Sequence, residues 1–318
     1  MTESFADWSH RAHERHFDSF AASGNDAAQA QTWFRTDTTD YWRHAREYAC
    51  LDPLLAAFPG AAWVTVGDGR YGRDAHYLQQ QGAQALATDI ADTLLKEGKE
   101  AGFIADYRKE NAEALSFGDK SFDFAFCKES LHHMPRPMLA LYEMLRVARK
   151  GVVIIEPNED PTLSSLPYAV KRLVKRVLIA LGLSGRLRNT DTSLILTGGH
   201  SYETSGNYVY GFSSREIEKI AAGLDLPAVA FKGLNDWYVK GVEFETAIKG
   251  APLFTELRRQ IAAADRRCRR GLSLSTPVLM VACIFKIPPP DALRSALKAA
   301  DYRVVDLPRN PYVGAAQA

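Results

Sequence analysis

Cysteine is scarce in this chain. Its four cysteines, Cys50, Cys127, Cys268 and Cys283, are scattered over 318 residues, at spacings that match no metal-ligand set and no dense disulfide framework. Free thiols in a reducing compartment follow, and a cytoplasmic location is expected. Charge of one sign is lacking as well: 39 Lys and Arg against 38 Asp and Glu leave a formal net charge of +1, so no global field draws the chain to nucleic acid. No apolar run reaches the length that crosses a bilayer. The opening MTESFADWSHRAHERH has no apolar stretch of the kind that makes a secretion signal, so neither export nor a membrane span is expected. Internal repeats and low-complexity tracts are missing too. What is present, 46% hydrophobic and 24% charged residues, suffices for a substantial buried core.

From Trp63 onward, short apolar runs alternate with helical patterns, the sequence form of a mostly parallel sheet covered by helices on both faces. Strands are expected at 63–66, 85–88, 107–110, 122–126, 152–155, 228–231 and 278–285. In PMLALYEMLRVARKG, Pro137 sits near a helix start, Leu141, Met144, Leu145 and Ala148 share one face, and Gly151 stands at the end. Ser213 and Glu216 make a capping box. Two segments break the rhythm: residues 1–60, helical and rich in aromatics, and an insertion at about 158–210 after the fifth strand. The chain therefore divides into an N-terminal helical cap (1–60), a main domain (61–290) and a C-terminal tail (291–318), the last expected as a peripheral appendage.

The stretch WVTVGDGRYGRDAHYL places Gly67, Gly69 and Gly72 between a strand and a helix. Such a turn permits positive φ and close approach of a ligand to bare backbone, and the helix behind it offers free N–H groups. The next strand ends at Asp89, placed to accept both hydroxyls of a ribose. A nucleoside is implied, whether in a dinucleotide or in a smaller adenosine cofactor.

The segment ENAEALSFGDKSFDFAFCKESLHHMPRP, residues 110–137, resembles the class I S-adenosylmethionine-dependent methyltransferases, in which a D/N-A-E-x-L-x-F loop precedes an S-F-D strand and an L-H-H element. The resemblance covers about residues 63–157 and extends to a bacterial small-molecule subgroup. It implies a Rossmann-like seven-stranded sheet ending in an antiparallel hairpin, with S-adenosyl-L-methionine as cofactor. By the same resemblance Gly67, Asp68 and Gly69 cradle the methionine part, Asp89 the ribose and Ile90 one face of adenine. Asn111 and Ala112 meet the adenine edge, and Cys127 and Lys128 border the sulfonium with their backbone. Two departures stand out: Thr65 replaces an acidic residue before the glycines, which leaves Asp68 as the nearest negative charge for the cofactor's ammonium group, and Asn111 replaces an aspartate.

Methyl transfer to a hydroxyl needs alignment and a proton acceptor. Glu129, His132 and His133 follow the fourth strand, and His133 is the first candidate base, then His132, with Glu129 orienting it or binding substrate; one of the two histidines is expected only to cap or pack. Tyr41, Trp42 and Tyr71 read as core or lid aromatics. His10, His13 and His16, interleaved with Arg11, Glu14 and Arg15, read as a solvated helix, and no metal is assigned. Lys171, Arg172, Lys175, Arg176, Arg186 and Arg188 make the insertion basic. Its helix at 166–188 is expected as a lid, with peripheral contact to an anionic membrane or steering of a phosphorylated acceptor as alternatives. The expected activity is O-methylation of a small-molecule acceptor such as a sugar or nucleotide sugar. A Rossmann-type NAD-dependent oxidoreductase and a noncatalytic nucleoside-binding homologue are the alternatives.

Overall fold

The computed structural model describes residues 4–21, 25–159, 202–203, 207–269 and 277–313, with isolated positions at 173, 177, 180 and 181. The six basic residues expected to form the lid face lie outside the described residues. Before the sheet come helices α1 (Phe5–Ser19), α2 (Asn25–Gln31), α3 (Thr39–Tyr48) and α4 (Asp52–Ala57). The alternating region then runs β1 (Ala62–Val66), α5 (Arg73–Gln80), β2 (Gln84–Asp89), α6 (Thr93–Glu100), β3 (Tyr107–Lys109), β4 (Phe122–Lys128), α7 (Pro137–Val147) and β5 (Ala148–Pro157). After the insertion follow α8 (Ser214–Gly223), β6 (Ala228–Leu234), α9 (Pro252–Arg269), β7 (Leu279–Phe285), α10 (Asp291–Ala299) and β8 (Arg303–Asp306).

The strands form one sheet in the order β3-β2-β1-β4-β5-β7-β6-β8. The first five are parallel and the last three run antiparallel to their neighbours. Side chains alternate across the sheet. On β4 and β5, Ala125, Cys127, Val152 and Ile154 face α7 and α8, where Leu141, Met144, Ile217 and Ala221 fill the core. Phe124, Phe126, Val153 and Ile155 face the other way, onto Tyr48, Leu51 and Leu54 and onto Leu293 and Leu297 of α10. Strand order reverses between β1 and its two neighbours, β2 and β4. The crevice beyond their carboxyl ends is therefore the natural ligand site.

Seven strands are expected from the sequence and eight are present. The extra one, β8, pairs antiparallel with β6, and Tyr302 before it is buried with its hydroxyl donating to the Cys50 carbonyl at 2.7 Å. Residues 291–306 are thus built into the sheet and its covering layer; four strand residues after a polar helix carry too little alternation to announce that. Among the described residues no helix is long and apolar enough to cross a membrane.

Candidate active site

The glycine turn closes β1 onto α5. Gly67 lies at φ +75°, and a Cβ there would come within 1.8 Å of Ser130 Oγ, so only glycine fits. Asp68 is buried, and both of its carboxylate oxygens serve the start of α5. Oδ1 accepts from Asp74 N–H at 3.0 Å, while Oδ2 accepts from Ala75 N–H at 2.9 Å and from the Thr65 hydroxyl at 2.8 Å. It caps the helix from within the loop. Thr65 therefore has a defined job in place of the acid: it orients Asp68, whose carboxyl is raised by burial and by the neighbouring Asp74. The negative charge aimed in the sequence at an ammonium group is already engaged with backbone.

Behind the turn lies a cavity of about 570 Å³ whose floor brings together Gly67, Asp89, Ile90, Asn111 and Ala112. Asp89 is buried, accepts from Ala91 N–H at 2.9 Å, and is pushed up to about 7 by burial. The Asn111 side-chain oxygen accepts from Glu113 N–H at 3.0 Å, which orients its amide in the cavity wall. The roof is helix α1, through His10, His13 and Phe17. His10 and His13 are half-buried, not solvated. His10, His13, Phe17 and Phe20 recur at spacings of three, four and three residues, the stripe of an amphipathic helix. That signal was available in the sequence, masked by the charged residues between.

A second cavity, about 530 Å³, shares Phe17, Gly67, Ser130 and His133 with the first and is far more polar. It is bounded by Asp68, Gly69, Lys128 and Glu129, and by His44, Tyr48, Arg70, Arg73 and Asp74, which the sequence did not single out. The Lys128 ammonium is buried 3.2 Å from Glu47, 3.0 Å from His44 Nδ1 and 3.3 Å from Glu129. Burial works against its charge, but Glu47, Asp74 and Glu129 outweigh it and hold the amine above the ordinary lysine range. His44, Glu47 and Glu129 bring ligand atoms within 4.8 Å of one another; the lysine ammonium already supplies the cation there. The Cys127 side chain is fully buried, its thiol 3.7 Å from Glu156, and borders neither cavity.

The turn after β4 separates the two candidate histidines. Glu156, fully buried on β5, accepts from the N–H groups of Ser130, Leu131 and His132 at 3.1, 2.8 and 3.4 Å and lies 2.6 Å from His132 Nδ1. Burial opposes the charge of His132, yet Glu156 prevails and raises its pKa. His132 borders neither cavity; it pairs with the buried Glu156 beneath the turn. His133 lines both cavities, with Nδ1 2.7 Å from Glu203 and its ring 6.0 Å from that of His13. His13 is pushed down to about 4, chiefly by burial, so it is neutral at pH 7. Asn207, fully buried, ties these parts together: it accepts from the Ser9 hydroxyl at 2.5 Å and donates to the His133 carbonyl at 2.7 Å. Tyr71 packs on Phe34, Trp42 on Phe254, and Tyr41 lies under the Arg73 guanidinium; all three line neither cavity.

A family model described as a methyltransferase domain matches residues 64–155, from β1 through β5. The chain is 29% identical over 175 residues to the ubiquinone biosynthesis O-methyltransferase of Xanthomonas campestris, covering 52% of this chain and 70% of that one. The chain is a class I S-adenosylmethionine-dependent methyltransferase. Its cofactor is S-adenosylmethionine, which sets the oxidoreductase reading aside. The enzyme of the same name from Xanthomonas oryzae is 27% identical over 229 residues, 66% of this methyltransferase and 93% of its own length. A crystal structure of an S-adenosylmethionine-dependent methyltransferase from Thermotoga maritima is 16% identical, with a TM-score of 0.43 over 88% of this chain and 100% of that chain.

Proposed function

We propose that this methyltransferase O-methylates a hydroxyl on a small molecule, with His133 as general base. The observation that carries the reading is the position of His133 at the junction of the two cavities, beside Glu203. The residues suit the cofactor: Asp89 is a buried acceptor at the cavity floor, and a Cβ at Gly69 would stand only 3.0 Å from Asp89 Oδ2, a tight contact that glycine avoids. Asp89 would receive the ribose hydroxyls, Ile90, Asn111 and Ala112 the adenine, and the main chain of Gly67–Gly69 the methionine part. When bound, the cofactor supplies a methyl group already activated by its sulfonium. The protein would align an acceptor oxygen with that methyl group, and the His133 imidazole would take the proton that the acceptor hydroxyl gives up on methylation. Asn207 ties helix α1 to the turn that carries His133.

The curated relatives carry O-methyltransferase in their names, which supports oxygen as the target. Sugars, nucleotide sugars and phenols are the acceptor classes to compare. Incubation with methyl-labelled cofactor, followed by mass spectrometry of the products, is expected to place the label on an acceptor oxygen; label found only on nitrogen or carbon overturns the proposal.

The ribose assignment predicts a pH dependence. Burial pushes the Asp89 carboxyl up to about 7 from an ordinary 3.8. A group raised in this way favours folding below about 3.8, and that contribution is lost as pH rises through about 7. Ribose hydroxyls donating to the carboxylate favour its ionised form. Affinity for S-adenosylhomocysteine is therefore expected to rise about tenfold from roughly pH 5.5 to 8 and then level off, and to flatten in Asp89→Asn. Isothermal titration across that range checks it, and a pH-independent affinity in the unaltered enzyme contradicts the assignment.

A further inference from the structure

We infer that the Nε–Nη2 edge of Arg73 binds the α-carboxylate at the amino-acid end of the cofactor. Arg73 is the first residue of α5 and only 3% exposed. Its Nη1 donates to Asp40 Oδ2 at 3.1 Å, and its guanidinium lies 5.1 Å from the centre of the Tyr41 ring. Both contacts hold the side chain in place and leave Nε and Nη2 buried without a partner among the described residues. Arg43 in the same layer shows what a completed guanidinium looks like: Nε and Nη2 fork onto the Asp236 carboxylate, and Nη1 bonds Asp40 at 2.8 Å. Arg73 has the Asp40 half of that arrangement and lacks the fork. Buried donors are almost always satisfied, and the Nε–Nη2 edge is shaped for two oxygens of one planar anion.

The place of this edge selects the anion. Arg73 borders the second cavity together with Gly67, Asp68 and Gly69. The other buried cation there, Lys128, already faces Glu47, His44 and Glu129. The inference rests on the cofactor assignment and on the glycine turn holding the methionine part, which bring the carboxylate to the α5 end of this cavity. Asp68 is occupied with the helix start, accepting from the N–H groups of Asp74 and Ala75.

The test compares S-adenosylhomocysteine with S-adenosyl-3-thiopropylamine, its decarboxylated analogue, by isothermal titration on the full chain. The unaltered enzyme is expected to prefer the carboxylated ligand by about 10- to 100-fold, and Arg73→Met to bind the two within about threefold of each other. Arg73→Lys keeps a cation on Asp40 but loses the fork, and its preference is expected to fall at least about threefold below that of the unaltered enzyme. If Arg73→Met binds neither ligand, the lysine variant decides. An unchanged preference in the variants overturns the inference, also where Arg73 serves an acidic acceptor instead. An unaltered enzyme that binds neither ligand would overturn the cofactor-site assignment itself.

Discussion

His133→Ala is expected to lower turnover by about 10²- to 10⁴-fold while leaving the affinity for S-adenosylhomocysteine within about threefold. The first number is the range for loss of a positioned general base. The second follows from where the side chain sits: His133 reaches the shared boundary of the two cavities, whereas the floor that would hold the nucleoside is made by Asp89, Ile90, Asn111 and Ala112. Folding should be little affected, because the backbone of the turn is held through the His133 carbonyl by Asn207 and through neighbouring N–H groups by Glu156, contacts that survive the substitution. Glu129 is the rival base. Its carboxylate is tethered 3.3 Å from the Lys128 ammonium and 3.6 Å from His44, and it borders only the second of the two cavities. Turnover measured with the identified acceptor separates the two: retained activity in His133→Ala with loss in Glu129→Gln assigns the proton to Glu129.

The sheet was legible because its central strands are buried on both faces and read as apolar runs, and because the glycines and Asp89 fall at the turn and strand end that topology requires. The floor of the first cavity was legible for the same reason, since Gly67, Asp89, Ile90, Asn111 and Ala112 are carried by consecutive strand ends. The remainder depends on contacts between distant segments. Nothing in the local sequence of His132 and His133 says which one turns under; that is settled by Glu156, on the next strand. Likewise Glu203 and Asn207 sit in a stretch without periodicity, and they acquire meaning only when they meet His133 and α1. The polar wall of the second cavity is similar, since α3 supplies His44 and Tyr48 from before the sheet begins.

Glu156→Ala is expected to cost about 3–5 kcal/mol of folding stability, the range for breaking a buried ion pair by removing one partner. Two losses combine in it. His132, buried and with its charged form favoured by Glu156, would lose that partner, and three backbone N–H groups at Ser130, Leu131 and His132 would lose their acceptor. Some of the first loss is avoidable, because the histidine can give up its proton; Glu156→Gln, which keeps an acceptor for the N–H groups, should therefore cost less. The pH dependence distinguishes the two contributions. His132 has a raised folded-state pKa, so its contribution to stability is full below the unfolded value of 6.5 and disappears as pH rises through the folded value. Urea unfolding at several pH values should show this decline in the unaltered enzyme and a much flatter response in Glu156→Gln. A loss of under about 1 kcal/mol in Glu156→Ala would mean that the turn carrying Glu129 and His133 is held by other contacts. The base proposed for catalysis would then sit on a looser support than the buried carboxylate implies.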